Sequence, residues 1–277
     1  MCTALISVDP GSSVPVLLLF ARDEMVERAW LAPGRHWPAD HPELIGGMDL
    51  REGGTWLAVR PGDGVPSDST FTHRSPARMA CLLNGFGRPA APERKLTRGR
   101  LPLAAAEGEE IGRLDLTRYD PFHLLIAQAD SASVNMLTWD GLALSETQLD
   151  AGTYLVSNRG LETPDESGLP EAPERAVRLI DARIKHFRPL LQDTPRPEPE
   201  PGHGSTESAW AAWMRLAQGD DLALDDVRAL IGKHDWGKGQ AWMTSSVSLV
   251  ALGQRGARYD VNLSPGSYKW YEVDPAA

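Results

Sequence analysis

The chain has 277 residues, of which 42% are hydrophobic and 24% are charged, and this composition is typical of a globular protein rather than of a disordered or fibrous one. A chain of this length can bury a large apolar core, and we predict a single domain over residues 1–277. The formal net charge of −10 repels nucleic acid and anionic membrane surfaces. We therefore expect no nucleic-acid partner. One local basic run remains a candidate contact for an anion: Arg94, Lys95, Arg98 and Arg100.

Cysteine usage favours a reducing compartment. Cys2 and Cys81 can form at most one disulfide, and neither lies in a CxxC pair or at zinc-ligand spacing from histidines. We therefore expect a cytoplasmic protein that requires no cofactor and holds no metal. The apolar run over residues 14–20 contains Pro15 and is too short for a membrane span, so we expect no stable membrane insertion.

The N-terminal half predicts mainly strands. Residues 3–8 and 14–20 are apolar runs joined by a turn-forming segment, which predicts a hairpin. The segment 30–54 is rich in proline and glycine and predicts an irregular rim of the sheet. Further strands are predicted over residues 55–59 and 78–83, and short helices over 100–106 and 109–116.

The C-terminal half predicts a return to strands after a helical region. Short apolar segments separated by turn residues predict an antiparallel meander over 122–129, 133–139, 142–148 and 153–156. Residues 173–191 carry apolar side chains at helical spacing, and the Pro-rich segment 192–206 predicts an exposed loop. Helices over 207–218 and 224–231 and strands over 242–252, 257–263 and 268–273 complete the prediction. This order favours an α+β fold, with helices packed over antiparallel sheets.

Cys2 is the residue with the most distinctive chemistry. Its small side chain permits removal of Met1, and an N-terminal cysteine can pass its thiol proton to its own α-amine, whose ordinary pKa is about 8. The predicted hairpin returns residues 21–23 to the neighbourhood of Cys2, where the cation of Arg22 would favour the thiolate. The residues alone leave a second interpretation open, in which Cys2 is a small apolar residue at the start of a buried strand. Asn84 and Asn158 can similarly be simple turn residues.

Several motifs together resemble the NRDE family, which is the transport and Golgi organisation protein 2-like family. They are Met1-Cys2-Thr3, Ala21-Arg22-Asp23-Glu24, Gly53-Gly54-Thr55-Trp56-Leu57, Leu83-Asn84-Gly85, Thr153-Tyr154-Leu155-Val156-Ser157-Asn158, Thr163-Pro164 and the late stretch from Thr244 to Val250. The chain departs from the family's Asn-Arg-Asp-Glu tetrad at Ala21. It also has Met243 where family members often carry an arginine.

The resemblance implies a four-layer αββα sandwich of antiparallel sheets, similar to N-terminal nucleophile hydrolases. Those enzymes cleave or transfer acyl groups of amides through an N-terminal cysteine. Carried over by motif, Cys2 would be the nucleophile and its amine the base, Arg22 would stabilise the thiolate and Asp23 would orient the amine. Asn84 or Asn158 would donate to the oxyanion. The implied substrate is a small acylated amide.

A second hypothesis is a non-enzymatic protein for haem or lipid/acyl-CoA binding and trafficking, because eukaryotic family members are linked to haem mobilisation, lipid homeostasis and Golgi organisation. Haem is then the possible ligand, with His36, His41, His73 or Cys2 as candidate axial ligands. His36 and His41 with Asp40 or Glu43 match no known metal-ligand spacing. An apolar ligand surface is available among the tryptophans, including Trp30, Trp37, Trp56, Trp210, Trp213, Trp236 and Trp242. A third hypothesis is a partner-binding domain that docks through the Pro-rich residues 195–201.

Overall fold

A computed structural model describes residues 1–63, 75–162, 171–235, 241–267 and 269–275. The described strands are β1 (Thr3–Val8), β2 (Val16–Met25), β3 (Trp30–Gly34), β4 (Ile45–Asp49), β5 (Leu57–Arg60), β6 (Arg78–Asn84), β7 (Phe122–Gln128), β8 (Ser133–Trp139), β9 (Leu144–Leu149), β10 (Gly152–Ser157), β11 (Gly160–Leu161), β12 (Lys233–Asp235), β13 (Ala241–Gly253), β14 (Gly256–Asn262) and β15 (Tyr271–Glu272). The α-helices are α1 (Leu101–Glu107), α2 (Glu174–Asp193), α3 (Thr206–Trp210) and α4 (Trp213–Ala217).

The strands form two antiparallel sheets. The first has the order β11-β10-β1-β2-β13-β14-β15, with β12 beside β13. The second has the order β3-β4-β5-β6-β7-β8-β9. The described chain is therefore an α+β protein built on two sheets, as predicted.

The central strands of the first sheet are apolar on both faces because both faces are covered. All six residues of β1 are buried. Alternate residues of β1 and β2 face different clusters: Ile6 and Leu18 pack against the second sheet, whereas Leu5 and Leu19 pack against α2, α3 and α4. A third apolar cluster joins the outer face of the second sheet to α1. The layers are therefore helix, sheet, sheet and helix.

The hairpin prediction is confirmed, and its register places the N-terminus. Thr3 pairs with Ala21 and Val8 with Val16. The helix predicted over 173–191 is α2, which buries Leu179, Ile180 and Phe187.

Other local predictions were wrong. The segment 30–54 contains β3 and β4, which extend the second sheet. Residues 109–116 form no α-helix: they contain a 3₁₀ turn over Ile111–Arg113 and the start of a second over Leu116–Arg118. Residues 224–231 form no helix. The last segment of the meander, β10, leaves the second sheet and pairs with β1 in the first. Of the strand predicted over 268–273, Tyr268 lies outside the described residues.

Between the end of α2 at Asp193 and the start of α3 at Thr206, the Pro-rich segment has no regular structure and is mostly exposed or half-buried, but parts of it are anchored to the first sheet. Pro197 and Pro199 are buried, and Arg196 donates to the hydroxyls of Ser7 and Ser12. The wholly buried Arg258 also donates to backbone carbonyls of this segment at Glu200, His203 and Gly204. Because these contacts satisfy the segment's backbone, it can lie against the first sheet without regular structure.

Within the described ranges, none of the helices is long and apolar enough to cross a membrane.

Candidate active site

The candidate site lies where β1 begins and β2 ends. Since Thr3 pairs with Ala21, extension of the same register by one residue places Cys2 opposite Arg22. The Cys2 thiol lies 3.7 Å from the backbone oxygen of Asp23. Residues distant in the sequence surround this point because β10, β13 and α2 all pack beside the hairpin.

The Asp23 carboxylate holds the chain's N-terminus. Its Oδ2 lies 2.9 Å from the ammonium of Met1, and its Oδ1 accepts from the Thr244 hydroxyl at 2.6 Å. The Arg183 guanidinium lies 3.5 Å from Oδ2. Burial alone would raise the pKa of Asp23, but the ammonium, Arg183 and Thr244 hold it below its ordinary value. Asp23 is therefore a buried, charged carboxylate that binds an amine.

Arg183 and Thr244 were missed by the sequence analysis. Arg183 extends from α2 and also donates to the Met1 carbonyl at 2.9 Å and to the Thr3 hydroxyl at 2.7 Å. A signal was present, because Arg183 follows Leu179 at helical spacing on the apolar face of α2. A cation on a buried stripe requires polar partners. Arg183 is therefore a second buried cation, besides Arg22, at this end of the hairpin.

Arg22 points away from Asp23, into the space between the sheets. Its guanidinium stacks 3.8 Å from the ring centre of Trp56 and 5.6 Å from that of Trp30. It donates to the Ser245 hydroxyl at 2.9 Å and to Glu24 at 3.3 Å. Burial lowers the pKa of Arg22, while Glu24 opposes that shift. Arg22 nevertheless remains a cation at neutral pH.

The Cys2 thiol is protonated in the form that retains Met1. Burial raises the pKa of Cys2; the ammonium and Arg22 oppose this shift but do not cancel it. Cys81 is wholly buried in the core between the sheets, where burial raises its pKa well above the ordinary value. Cys81 is thus a core residue.

Asn84 and Asn158 meet across the two sheets. Asn84 ends β6 in the second sheet, Asn158 follows β10 in the first, and Asn158 Nδ2 donates to the Asn84 carbonyl at 2.6 Å. Asn158 Oδ1 is buried without a hydrogen-bond partner among the described residues. The backbone oxygen of Asn158 lies 3.3 Å from His123 Nε2, and burial lowers the pKa of His123 to about 4. A neutral His123 therefore helps to fix this turn.

Two cavities open beside Cys2. A charged cavity of about 290 Å³ is lined by Arg22, Glu24, Arg28, Asp49 and Arg98, among others. An apolar cavity of about 350 Å³ is lined by Phe86, Pro173 and Ala176, together with Asn158 and Met1. Both cavities include Cys2, Asp23, Asn84 and Trp242. All five residues selected from the sequence thus line one or both cavities.

The proposed haem ligands lie elsewhere, apart from Cys2. His36 contacts the Ala32 carbonyl, and His41 lies 3.8 Å from Glu107. None of the histidines that the structure describes lines either cavity, and His73 is outside the described residues. The described ranges also contain no group of three or more residues suited to a metal ion. The residues around Cys2 therefore do not offer a haem iron a histidine ligand.

The tryptophans divide between the site and the core. Trp30 and Trp56 contact Arg22, and Trp242 lines both cavities. Trp210 and Trp213 are buried in the helical layer, and Trp37 donates to the Gly53 carbonyl. Trp236 lies outside the described residues.

Residues 1–193 match the model of the Transport and Golgi organisation 2 family. The chain belongs to this family. The match includes the NRDE-type motifs from Met1 to Asn158, whereas the stretch from Thr244 to Val250 lies beyond it. Thr163-Pro164 falls within the match but outside the described residues. Among curated proteins, none matches the chain significantly.

Ala21 occupies the position at which the family tetrad has asparagine. Its side chain is fully buried in the apolar cluster beneath the helices, with Leu5, Leu19 and Val247. At this position the chain therefore has apolar packing.

Proposed function

We propose that this protein is an N-terminal cysteine amidohydrolase or acyltransferase that acts on a small acylated amide. The observation that carries the proposal is the 2.9 Å ion pair between Asp23 and the ammonium of Met1, the residue before Cys2. Removal of Met1 would leave Asp23 to hold the new ammonium of Cys2. A buried carboxylate that binds the chain's own amine is the arrangement that an N-terminal nucleophile requires, because the amine must be held near the thiol to act as its base.

Removal of Met1 is the first step of the proposed mechanism, and it transfers the free amine to Cys2. This neutral amine accepts the thiol proton, and the sulfur then forms a bond to the amide carbonyl carbon. The carbonyl π electrons move to oxygen, and an amide N–H of Asn84 or Asn158 stabilises the resulting oxyanion. Collapse of this intermediate breaks the C–N bond, and the leaving amine takes the proton held by the Cys2 amine. Water, or a second amine, then releases the acyl group from the thioester.

Arg22 and Asp23 have separate parts in this scheme. The Arg22 cation lies on the face of the hairpin shared with Cys2 and lowers the pKa of its thiol. Asp23, with Arg183 and Thr244, positions the amine. Since burial keeps the Cys2 pKa high while Met1 is present, we expect full reactivity only in the processed chain.

A second candidate function is binding of an acylated ligand without turnover. The apolar cavity beside Cys2 favours this alternative, because it suits an alkyl or acyl chain whatever the state of the thiol. This alternative predicts binding that is independent of Met1 removal.

The test combines intact mass, thiol labelling and turnover. We expect the purified protein to lack Met1, to react with iodoacetamide at Cys2 faster than at Cys81, and to hydrolyse one of a series of N-acyl p-nitroanilides. Cys2→Ser should reduce that hydrolysis at least about 100-fold, since a serine hydroxyl is a far weaker nucleophile at neutral pH.

Cys81→Ala is the matched control, because Cys81 lines neither cavity. It should retain hydrolysis. Retention of Met1 in active protein, or equal turnover by Cys2→Ser and the unmodified chain, would refute the proposal.

A further inference from the structure

Among the described residues that line the charged cavity, one arginine has no described carboxylate as a partner. Arg28 is paired with Asp49 at 2.6 Å, and Arg22 with Glu24 at 3.3 Å. For Arg98, the described residues provide no carboxylate within 4.0 Å, and the hydrogen bond that they do provide runs from Nη1 to the Pro121 carbonyl at 2.7 Å. Arg98 therefore differs from the other two cations of this cavity.

The carboxylates that interact electrostatically with Arg98 already form ion pairs with other cations. The Arg98 cation interacts with the charges of Asp120, Cys2 and Glu24. Asp120 pairs with Lys95 at 2.5 Å, and Glu24 pairs with Arg22. The Arg98 cation therefore interacts with the Cys2 thiol, and no described carboxylate forms an ion pair with Arg98.

Arg98 is held in a fixed position. It begins the 3₁₀ turn Arg98–Arg100, whose Gly99 carbonyl accepts from the Thr55 amide at 2.9 Å. Gly54 and Gly99 are in backbone contact: a Cβ on Gly54 would meet the Gly99 carbonyl carbon at 2.5 Å. The Gly53-Gly54-Thr55 motif therefore fixes the loop that carries Arg98 at the cavity wall.

Arg98 is half-buried, and partial burial of an unpaired cation has a cost. Burial lowers the pKa of Arg98, yet a guanidinium remains charged at neutral pH. An anion that enters the cavity would regain electrostatic energy that the free protein lacks, because the local dielectric constant is low. The site is thus prepared for a negatively charged group.

We infer that Arg98 binds a singly charged anionic group of the ligand, such as a carboxylate, while an apolar arm of the same ligand occupies the cavity formed by Phe86, Pro173 and Ala176. Cys2 lies between the two because it lines both cavities. This inference rests on the proposed function for its statement that the reacting carbonyl lies at Cys2. It assigns an amphiphilic monoanion as the substrate class.

The charged residues around Arg98 indicate that the ligand carries one negative charge. Glu24, Asp49 and Glu52 also line the charged cavity. Arg22 pairs with Glu24, Arg28 with Asp49, and Arg51 with Glu52 at 3.7 Å. All three carboxylates are thus offset, and the Arg98 cation remains for the ligand. A doubly charged phosphate would meet repulsion that a carboxylate avoids.

Binding is tested in a Cys2→Ala background, which prevents turnover, by calorimetric titration with N-decanoylglycine and its neutral analogue N-decanoylglycinamide. We expect the acid to bind about 10-fold or more tightly than the amide, as for a charge-assisted hydrogen bond. Arg98→Gln should remove this preference, because it should weaken binding of the acid and leave binding of the amide unchanged. Arg98→Lys should retain part of it.

Arg100→Gln is the matched control, since Arg100 belongs to the same turn but is exposed. It should leave both affinities unchanged. Equal affinity for acid and amide in the parent protein, or equal weakening of both by Arg98→Gln, would overturn the inference. Even if Arg98→Gln does not fold, the comparison of acid with amide in the parent remains decisive. Charge-selective binding by a protein whose Cys2 shows no turnover would refute the proposed function but leave Arg98 as the anion site.

Discussion

Replacement of Asp23 by asparagine should destabilise the protein substantially. The side chains of Asp23 and Arg183 are 2% and 4% exposed, and the ammonium of Met1 adds a second cation at 2.9 Å. Removal of one partner of a buried pair costs about 3–5 kcal/mol, because the remaining charge stays buried. Arg183 keeps its acceptor at the Thr3 hydroxyl, which does not depend on Met1, so we expect the lower end, about 3 kcal/mol.

The assay is thermal unfolding of Asp23→Asn at neutral pH. A loss of about 3 kcal/mol corresponds to a fall in Tm of about 6–12 °C for a domain of this size. Glu110→Gln is the control, because Glu110 pairs with Arg113 on the surface, where the two side chains are 67% and 81% exposed. We expect that control to change stability by less than about 1 kcal/mol.

The pH dependence has a definite sign. The pKa of Asp23 is lowered in the folded state, so the unfolded chain binds the proton more readily. The stabilisation from Asp23 is therefore complete above its ordinary pKa and is lost as the pH falls through the folded value. The difference in unfolding free energy between the parent protein and Asp23→Asn should become smaller as the pH is lowered.

A double-mutant cycle with Arg183→Met measures the interaction free energy of Asp23 with Arg183, apart from the contacts that each residue makes with other groups. If the pair interacts as the structure indicates, Asp23→Asn should cost less in the Arg183→Met background, by roughly 1–3 kcal/mol. Additive effects, or an effect of Asp23→Asn as small as that of Glu110→Gln, would refute the reasoning.

Two further predictions concern the supports of the site. The pKa of His123 is about 4 in the folded protein, against an ordinary value of 6.5. Because the unfolded chain gains the proton first, the parent protein should lose about 2–3 kcal/mol of unfolding free energy at this residue between pH 7.5 and pH 4.5. Chemical denaturation should show this loss reduced in His123→Gln but unchanged in His203→Gln, whose side chain is exposed; an equal loss in all three proteins would contradict it. Gly54→Ala should cost about 1–3 kcal/mol through its clash with Gly99, whereas Gly112→Ala, where a Cβ meets Leu144 only at 3.5 Å, should cost less. Equal Tm values for these two variants would contradict the close backbone contact.

The hairpin and α2 could be predicted because their signals are local, whereas the sandwich of two sheets was predicted from the family resemblance. Strands β1 and β2 are continuous apolar runs, and α2 has apolar residues at helical spacing. Strand β4 was missed because its glycines oppose a strand assignment. Tertiary packing requires those glycines, because neighbouring groups leave no space for a side chain. A Cβ on Gly47 would lie 2.4 Å from the Trp56 ring, and a Cβ on Gly46 would lie 2.5 Å from the Leu57 carbonyl oxygen.

The candidate site was only partly predictable, because its contacts cross large distances in the sequence. The hairpin register alone brings Arg22 to Cys2. By contrast, Arg183 and Thr244 reach Asp23 from 160 and 221 residues away. No local spacing encodes such contacts, although a buried arginine on α2 indicates that a partner must exist.

The adjacency of Arg22 and Asp23 conflicted with the expectation that both serve one nucleophile, since neighbours on a strand face opposite sides. The described geometry resolves this conflict. Cys2 is opposite Arg22 and its thiol contacts the core between the sheets, so Arg22 shares its face. The chain terminus lies at Asp23 on the helix side, where Arg183 also approaches. In the proposed processed chain, Cys2 would be the N-terminal residue, with its side chain on one face of the strand and its amine along the backbone. Arg22 and Asp23, on opposite faces, would then serve the thiol and the amine separately. Ala21 takes part in neither contact, so the absence of asparagine there does not conflict with the proposal.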